Sequence, residues 1–218
     1  MPSTEVVVDV RNVRKSFMGA TVLDDVTLQI HAGDRVAMMG PNGAGKTTLV
    51  RCMLGFYHLD GGSIRVVGHD PSRERVEVLR QVGFIPQLPP PIKLTVGELL
   101  TFVERSTGTP ADRIREQAKA MELELSRHEG KPFFKLSGGM KQKMLIAIAL
   151  ARHNPLLVFD EPTASLDPKA REHFYRLLEE IGHDYAAIYI THRAEELEGL
   201  VNRHIYMDLG KVVEDERV

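Results

Sequence analysis

The apolar positions over residues 5–10 (EVVVDV) and 21–30 (TVLDDVTLQI) are largely β-branched and partly alternate with polar ones, a pattern that predicts two strands. DRVAMMG (34–40) reads as a short buried strand ending in glycine. A Gly-rich turn follows it, and TTLVRCMLG (47–55) reads as a helix that Gly55 can stop. SIRVVG (63–68) and VGFIPQ (82–87) are further strands, the second ended by proline, and PPP at 89–91 forms a stiff connector. From about residue 93 to about residue 156 the strand signal is absent. TVGE (95–98) has the form of a capping box, TPAD (109–112) puts Pro110 at a first helical position, and Leu99, Leu100, Phe102 and Val103 keep helical spacing. LLVF (156–159) and AAIYITH (186–192) are then buried strands, 167–182 is a capped amphipathic helix, and 204–215 is a hairpin turning near Leu209 and Gly210. Strands alternating with helices imply an α/β fold with a largely parallel sheet, interrupted by a helical insert.

Length and composition narrow this picture only modestly. A chain of 218 residues with 43% hydrophobic content suits one large domain with a real core. The net charge of -2, spread without long blocks of one sign, gives no electrostatic footprint for nucleic acid. One cysteine, Cys52, excludes an internal disulfide and is expected as a small core residue. No run reaches the ~18–20 apolar residues of a membrane-spanning helix. The N-terminus lacks the form of a secretory signal. A soluble, intracellular protein is expected, with any membrane role exercised through a partner.

The chemistry begins at GPNGAGKT, 40–47, a full match to the phosphate-loop pattern set between a buried strand and a helix. Glycines at 40, 43 and 45 let backbone N–H groups wrap an anion, the helix start adds partial positive charge, and Lys46 adds a full one. Thr47 offers a hydroxyl to Mg²⁺. Asp160 emerges at the C-terminal end of LLVF, where open parallel sheets bind ligands, and is expected to hold Mg²⁺; Glu161 follows it and can orient or deprotonate a water. Gln87 and His192 also end strands, Gln87 in reach of metal or water and His192 in reach of a γ-phosphate; an ordinary loop or capping role remains open for each. LSGGMKQK (136–143) places Ser137, Gly138 and Gly139 at a helix start, which makes either a plain serine cap or an anion site.

Taken in order, the phosphate loop at 40–48, Gln87, LSGGMKQ at 136–142, LLVFDE at 156–161, SLD at 165–167 and His192 resemble the nucleotide-binding subunit of an ATP-binding cassette (ABC) transporter, over nearly the whole chain. The resemblance implies a single domain, 1–218, with a P-loop NTPase (RecA-like) core, an N-terminal antiparallel β part and an inserted helical subdomain. Its core would be 1–92 and 136–218, and its insert 93–135. ATP and Mg²⁺ would be bound by Gly40, Pro41, Asn42, Gly43, Ala44, Gly45, Lys46, Thr47 and Thr48, with Thr47, Gln87 and Asp160 at the metal. Glu161, His192, Gln87 and Lys46 would carry catalysis. Phe17 stands where the family stacks an aromatic on adenine, with a core aromatic as the alternative. Ser137, Gly138 and Gly139 would face the γ-phosphate held by a second subunit packed head to tail, and Asp167 would lie near that seam while capping a helix.

Met140 replaces the glutamine of the common LSGGQ, as in exporter-type systems, and the lack of a domain after about residue 215 resembles the same simple exporter or ABC-2-like class. Partners implied are a second nucleotide-binding subunit, a homodimer being expected, and separate transmembrane permease subunits, with segment 88–106 as the face for the latter. No nucleic-acid partner is expected. The expected location is peripheral, on the cytoplasmic face of the inner or plasma membrane. The rival reading is an ABC-type ATPase that works without a membrane partner.

Overall fold

A computed structural model describes residues 5–181, 185–191 and 194–218. The chain divides into two compact units, one formed by 1–82, 155–160 and 183–218, the other by 83–154 and 161–182.

In the first unit β1 (Val6–Phe17) and β2 (Ala20–His31) form a long antiparallel pair, and β4 (Gly61–Val66) joins the other edge of β1. β1 runs well past its apolar segment, whereas β2 matches the 21–30 segment to within one residue at each end. Bulges near Val10 and Val13 absorb the polar stretch, with Asn12 and Asp25 at positive φ of 49° and 60°. Asn12 N–H donates to the Thr27 hydroxyl and its side-chain amide to Asp25, so cross-strand polar pairs hold a ladder that alternation alone does not predict.

The second sheet of this unit takes the order β6 (Leu156–Asp160), β7 (Ala186–Ile190), β3 (Arg35–Met39), β8 (Arg203–Asp208), β9 (Lys211–Arg217). The first four are mutually parallel, and the β8–β9 hairpin closes the edge antiparallel. β6 and β7 are buried at every residue, as expected of parallel strands covered on both faces, and Phe159 stacks on Tyr189 at 4.8 Å between ring centroids. The helix α1 (Lys46–Met53) buries Leu49, Val50, Cys52 and Met53, which confirms Cys52 as a core residue; burial pushes its thiol up to about 11. A buried charge cluster ties the hairpin to the β2–β3 turn. Arg203 forks onto Asp215 (2.7 Å) and reaches Asp34 (2.8 Å), whose carboxylate also takes Arg217 (3.0 Å) and the His31 N–H (2.9 Å). Burial works to raise the pKa of Asp34, but these donors outweigh it and hold the group below the usual carboxylate range.

α2 (Arg75–Gln81) has no counterpart in the hydrophobic pattern: it buries only Val78 and its N-cap, Glu74, makes no side-chain cap bond. β5 (Val82–Ile85) crosses the boundary between the units and ends two residues before Gln87, which therefore lies in the loop beyond the strand rather than at its end.

In the second unit, α3 (Val96–Thr107) starts on the expected capping box: Thr95 Oγ1 accepts from the Glu98 N–H (3.2 Å), and the Glu98 carboxylate accepts from the Thr95 N–H (2.7 Å). Pro110 is not inside a helix. It is the N-cap of α4 (Ala111–Ala120), with an extended ψ of 135°. α5 (Gly138–Ala151) and α6 (Pro168–Glu180) complete the unit, α6 with Asp167 as N-cap and Pro168 as its first residue. Its core joins Val96, Leu99, Leu100 and Val103 of α3, Ile114 and Ala118 of α4, Phe133, and Met144, Ala147 and Ala151 of α5. Phe102, on the same helix, is instead 58% exposed.

Candidate active site

The phosphate loop joins buried β3 to α1. Gly40 has φ 133°, and a Cβ there would overlap the backbone carbonyl of Met207 on β8; no other residue fits. Gly45, at φ 101°, is the N-cap of α1 and packs against the Val22 carbonyl. The β8–β9 turn braces the loop: Gly210 N–H donates to the Ala44 carbonyl (3.2 Å), while the Asp24 N–H donates to the Gly210 carbonyl (2.9 Å). Lys46 is buried, with Nζ donating to the carbonyls of Gly40 (2.6 Å) and Pro41 (2.9 Å), so its charge is held over the mouth of the loop. The Thr47 hydroxyl donates to Oδ1 of Asp160, the last residue of β6, at 3.4 Å. A hydroxyl and a carboxylate are hard oxygen donors of the kind that would hold a divalent cation.

Phe17 ends β1 with 39% of its surface exposed, so it is not a core aromatic. Tyr57 meets its ring edge-on, 5.1 Å between centroids, and the Lys15 ammonium lies 5.1 Å from the ring centre. Lys15 is in turn held by Asp60 (2.9 Å), which also accepts the Ser16 N–H (2.6 Å). The Lys15 hydrogen bond, followed by that from Ser16, holds the Asp60 carboxyl below its ordinary value.

In the second unit Gln87 and Glu161 meet directly, the amide Nε2 donating to a carboxylate oxygen at 2.9 Å. Glu161 sits at φ 48°, left-handed backbone that a non-glycine residue adopts only under constraint. Ser137 is the N-cap of α5, its hydroxyl accepting the Met140 N–H at 3.3 Å. Ser137 and Gly138 are exposed, and no acidic residue lies in the first turn, so α5 presents an open, partly positive end. Gly139 is set against the Ser165 carbonyl, which a Cβ would approach to 3.3 Å. Asp167 caps α6 by accepting the Ala170 N–H (2.9 Å), the leading cause of its lowered pKa. His192 lies outside the described residues. Three features were not read from the sequence: the Tyr57 contact, the Gly210 brace, and Gln142. The last had a signal, an amide set in an otherwise apolar helix face; the other two depend on contacts far apart in the chain.

A phosphate loop on a parallel sheet, with a carboxylate at the end of β6, one strand removed from β3, defines a P-loop nucleotide-binding protein. The particular family follows from the comparisons. The family model described as ABC transporter matches residues 23–164. The Nod factor export ATP-binding protein I of Burkholderia lata is 36% identical over 214 residues, 94% of this chain and 69% of that one. A sulfate/thiosulfate import ATP-binding protein of Shigella flexneri is 33% identical, over 94% of this chain and 58% of its own length. Among solved structures, an ATP-binding cassette captured as a dimer in a post-hydrolysis state with ADP and Pi superposes with TM-score 0.81 at 28% identity, over 96% of this chain and 98% of that one. A bacterial Atm1-family exporter with ATP bound gives TM-score 0.86 at 25% identity, over 100% of this chain and 39% of that one. The chain belongs to the ABC transporter ATP-binding family. It is a transporter ATPase subunit that binds and hydrolyses ATP, and subunits of this kind dimerise and work with membrane partners. Among the described residues, no helix is long and apolar enough to cross a membrane.

Proposed function

We propose that two copies of this chain pack head to tail and hydrolyse ATP in two composite sites, driving export through separate permease subunits on the cytoplasmic face of the membrane. The observation that carries the reading is the cluster on the phosphate loop: Lys46 held over it and the Thr47 hydroxyl 3.4 Å from Asp160.

Backbone N–H groups of the 40–48 loop, which Pro41 lacks, and the Lys46 ammonium take the phosphates. Phe17 offers its ring to the base. Thr47 and Asp160 would hold Mg²⁺, with Gln87 as a further oxygen donor; bound there, the ion offsets phosphate charge. Glu161, oriented by Gln87, takes the proton of the attacking water, and His192 bonds the γ-phosphate. Ser137, Gly138 and Gly139 receive the γ-phosphate held by the partner copy, and Asp167 caps α6 beside that seam. Segment 88–106, which leads into the helical insert 93–135, carries the permease-facing surface. In support, Leu88 is 77% exposed, and a groove of about 700 Å³ is lined by Leu94, Gly97, Thr101, Phe102 and Arg115. The export direction follows the Nod factor relatives and the Met140 variant. No nucleic-acid partner is part of this reading.

Purification from native membranes in mild detergent tests the transporter assignment. A multi-span protein in fixed stoichiometry is the expected companion. Recovery of soluble proteins alone, even after crosslinking, would contradict it.

A further inference from the structure

We infer that Gln142 is a positioning residue for ATP hydrolysis, holding the Glu161–Pro162 and Pro86–Gln87 segments together from α5. The inference rests on the proposed role of Glu161 as base.

Gln142 is 1% exposed and is the one polar residue among the buried positions of α5, beside Met144, Ile146 and Ala147. Its Nε2 donates to the Pro162 carbonyl at 3.0 Å and points at the Pro86 carbonyl at 3.5 Å. Each carbonyl belongs to the residue next to one of the paired side chains, since Gln87 donates to Glu161 at 2.9 Å. The amide thus clasps the two backbones on one side, while the Gln87–Glu161 bond joins them on the other. Glu161 is the residue in this clasp with left-handed backbone, a conformation that surrounding contacts must hold in place.

Packing alone does not account for the residue. Its Oε1 is buried and has no hydrogen-bond partner among the described residues. An orphaned buried acceptor costs free energy that methionine of similar volume avoids. What glutamine supplies and methionine cannot is the N–H pair aimed at the two carbonyls. Loosening that clasp leaves the phosphate loop, Lys46 and Thr47 untouched, since none of them is part of it, so the effect falls on turnover and not on ATP affinity.

The test uses the full chain and compares Gln142→Met, Gln142→His, Glu161→Gln and the double variant Q142M/E161Q. Histidine keeps an N–H at about the reach of the glutamine amide; methionine keeps only the volume. The expected result is a roughly tenfold lower kcat for Q142M, the scale of one lost buried hydrogen bond, with the ATP dissociation constant within about twofold of wild type. Q142H recovers most of the rate, and Q142M slows E161Q no further. Wild-type kcat in Q142M, equal loss in Q142H and Q142M, or a further tenfold loss in the double variant overturns the inference. Thermal melts establish that each variant is folded, and Gln142→Leu repeats the measurement if Q142M is not. Wild-type turnover in E161Q is a separate outcome: it removes Glu161 as base, whereas wild-type turnover in Q142M beside an inactive E161Q removes only the role of Gln142.

Discussion

Replacing Glu161 by glutamine lowers ATP turnover by about 10²–10⁴-fold, the range that a positioned general base contributes, while ATP affinity stays close to wild type. The substitution is suited to the question because the site geometry survives it. Gln87 donates to a side-chain oxygen of residue 161, and the amide oxygen of glutamine accepts that bond as the carboxylate does. What disappears is the negative charge and the capacity to take a proton. Lys46 keeps its bonds to the Gly40 and Pro41 carbonyls in this variant, so the expected change in binding is small. Parallel measurement of kcat and of the ATP dissociation constant checks the split; turnover at the wild-type rate would remove Glu161 from its assigned role.

The second large effect belongs to Lys46. Lys46→Met keeps most of the side-chain volume at a buried position but deletes the ammonium. Hydrogen bonds to charged groups contribute about 1.5–3 kcal/mol, so ATP affinity falls by about 10–100-fold, and turnover falls with it. The carbonyls of Gly40 and Pro41 also lose their donor, which loosens the loop and adds to the loss. Here affinity is the diagnostic quantity: unchanged ATP binding would mean that the loop grips the phosphates by its backbone alone.

How far the sequence anticipates this structure depends on how local each determinant is. The caps at Thr95, Ser137 and Asp167 are legible because a cap is settled within three or four residues. β6 and β7 are legible because strands buried on both faces are apolar throughout. The polar half of β1 is not, since Asn12 and Lys15 are held by partners distant in the chain, Thr27 on β2 and Asp60 just before β4. α2, with one buried residue and no cap bond, has too little local signal to register. The phosphate loop shows the same division. Its own residues declare its chemistry, but the carbonyl of Met207 that demands glycine at position 40, and the Gly210 N–H that braces Ala44, come from the far end of the chain. The left-handed backbone of Glu161 likewise has no sequence signature; it becomes visible only with the residues that hold it.

The central claim, that each hydrolytic site is shared between two copies of the chain, is tested most directly by mixing two inactive variants. Lys46→Met disables a phosphate loop. Gly138→Asp disables the end of α5: a Cβ at Gly138 meets nothing within 4 Å and an acidic residue suits a helix N-terminus, so the fold tolerates it, while its charge repels an approaching phosphate. In a mixed pair one composite site combines both lesions and the other is intact. Random pairing then restores about a quarter of wild-type turnover if the two sites work independently, since half of the pairs are mixed and each keeps one site of two. A mixture as inactive as its two parents would contradict the claim and place each site within a single chain.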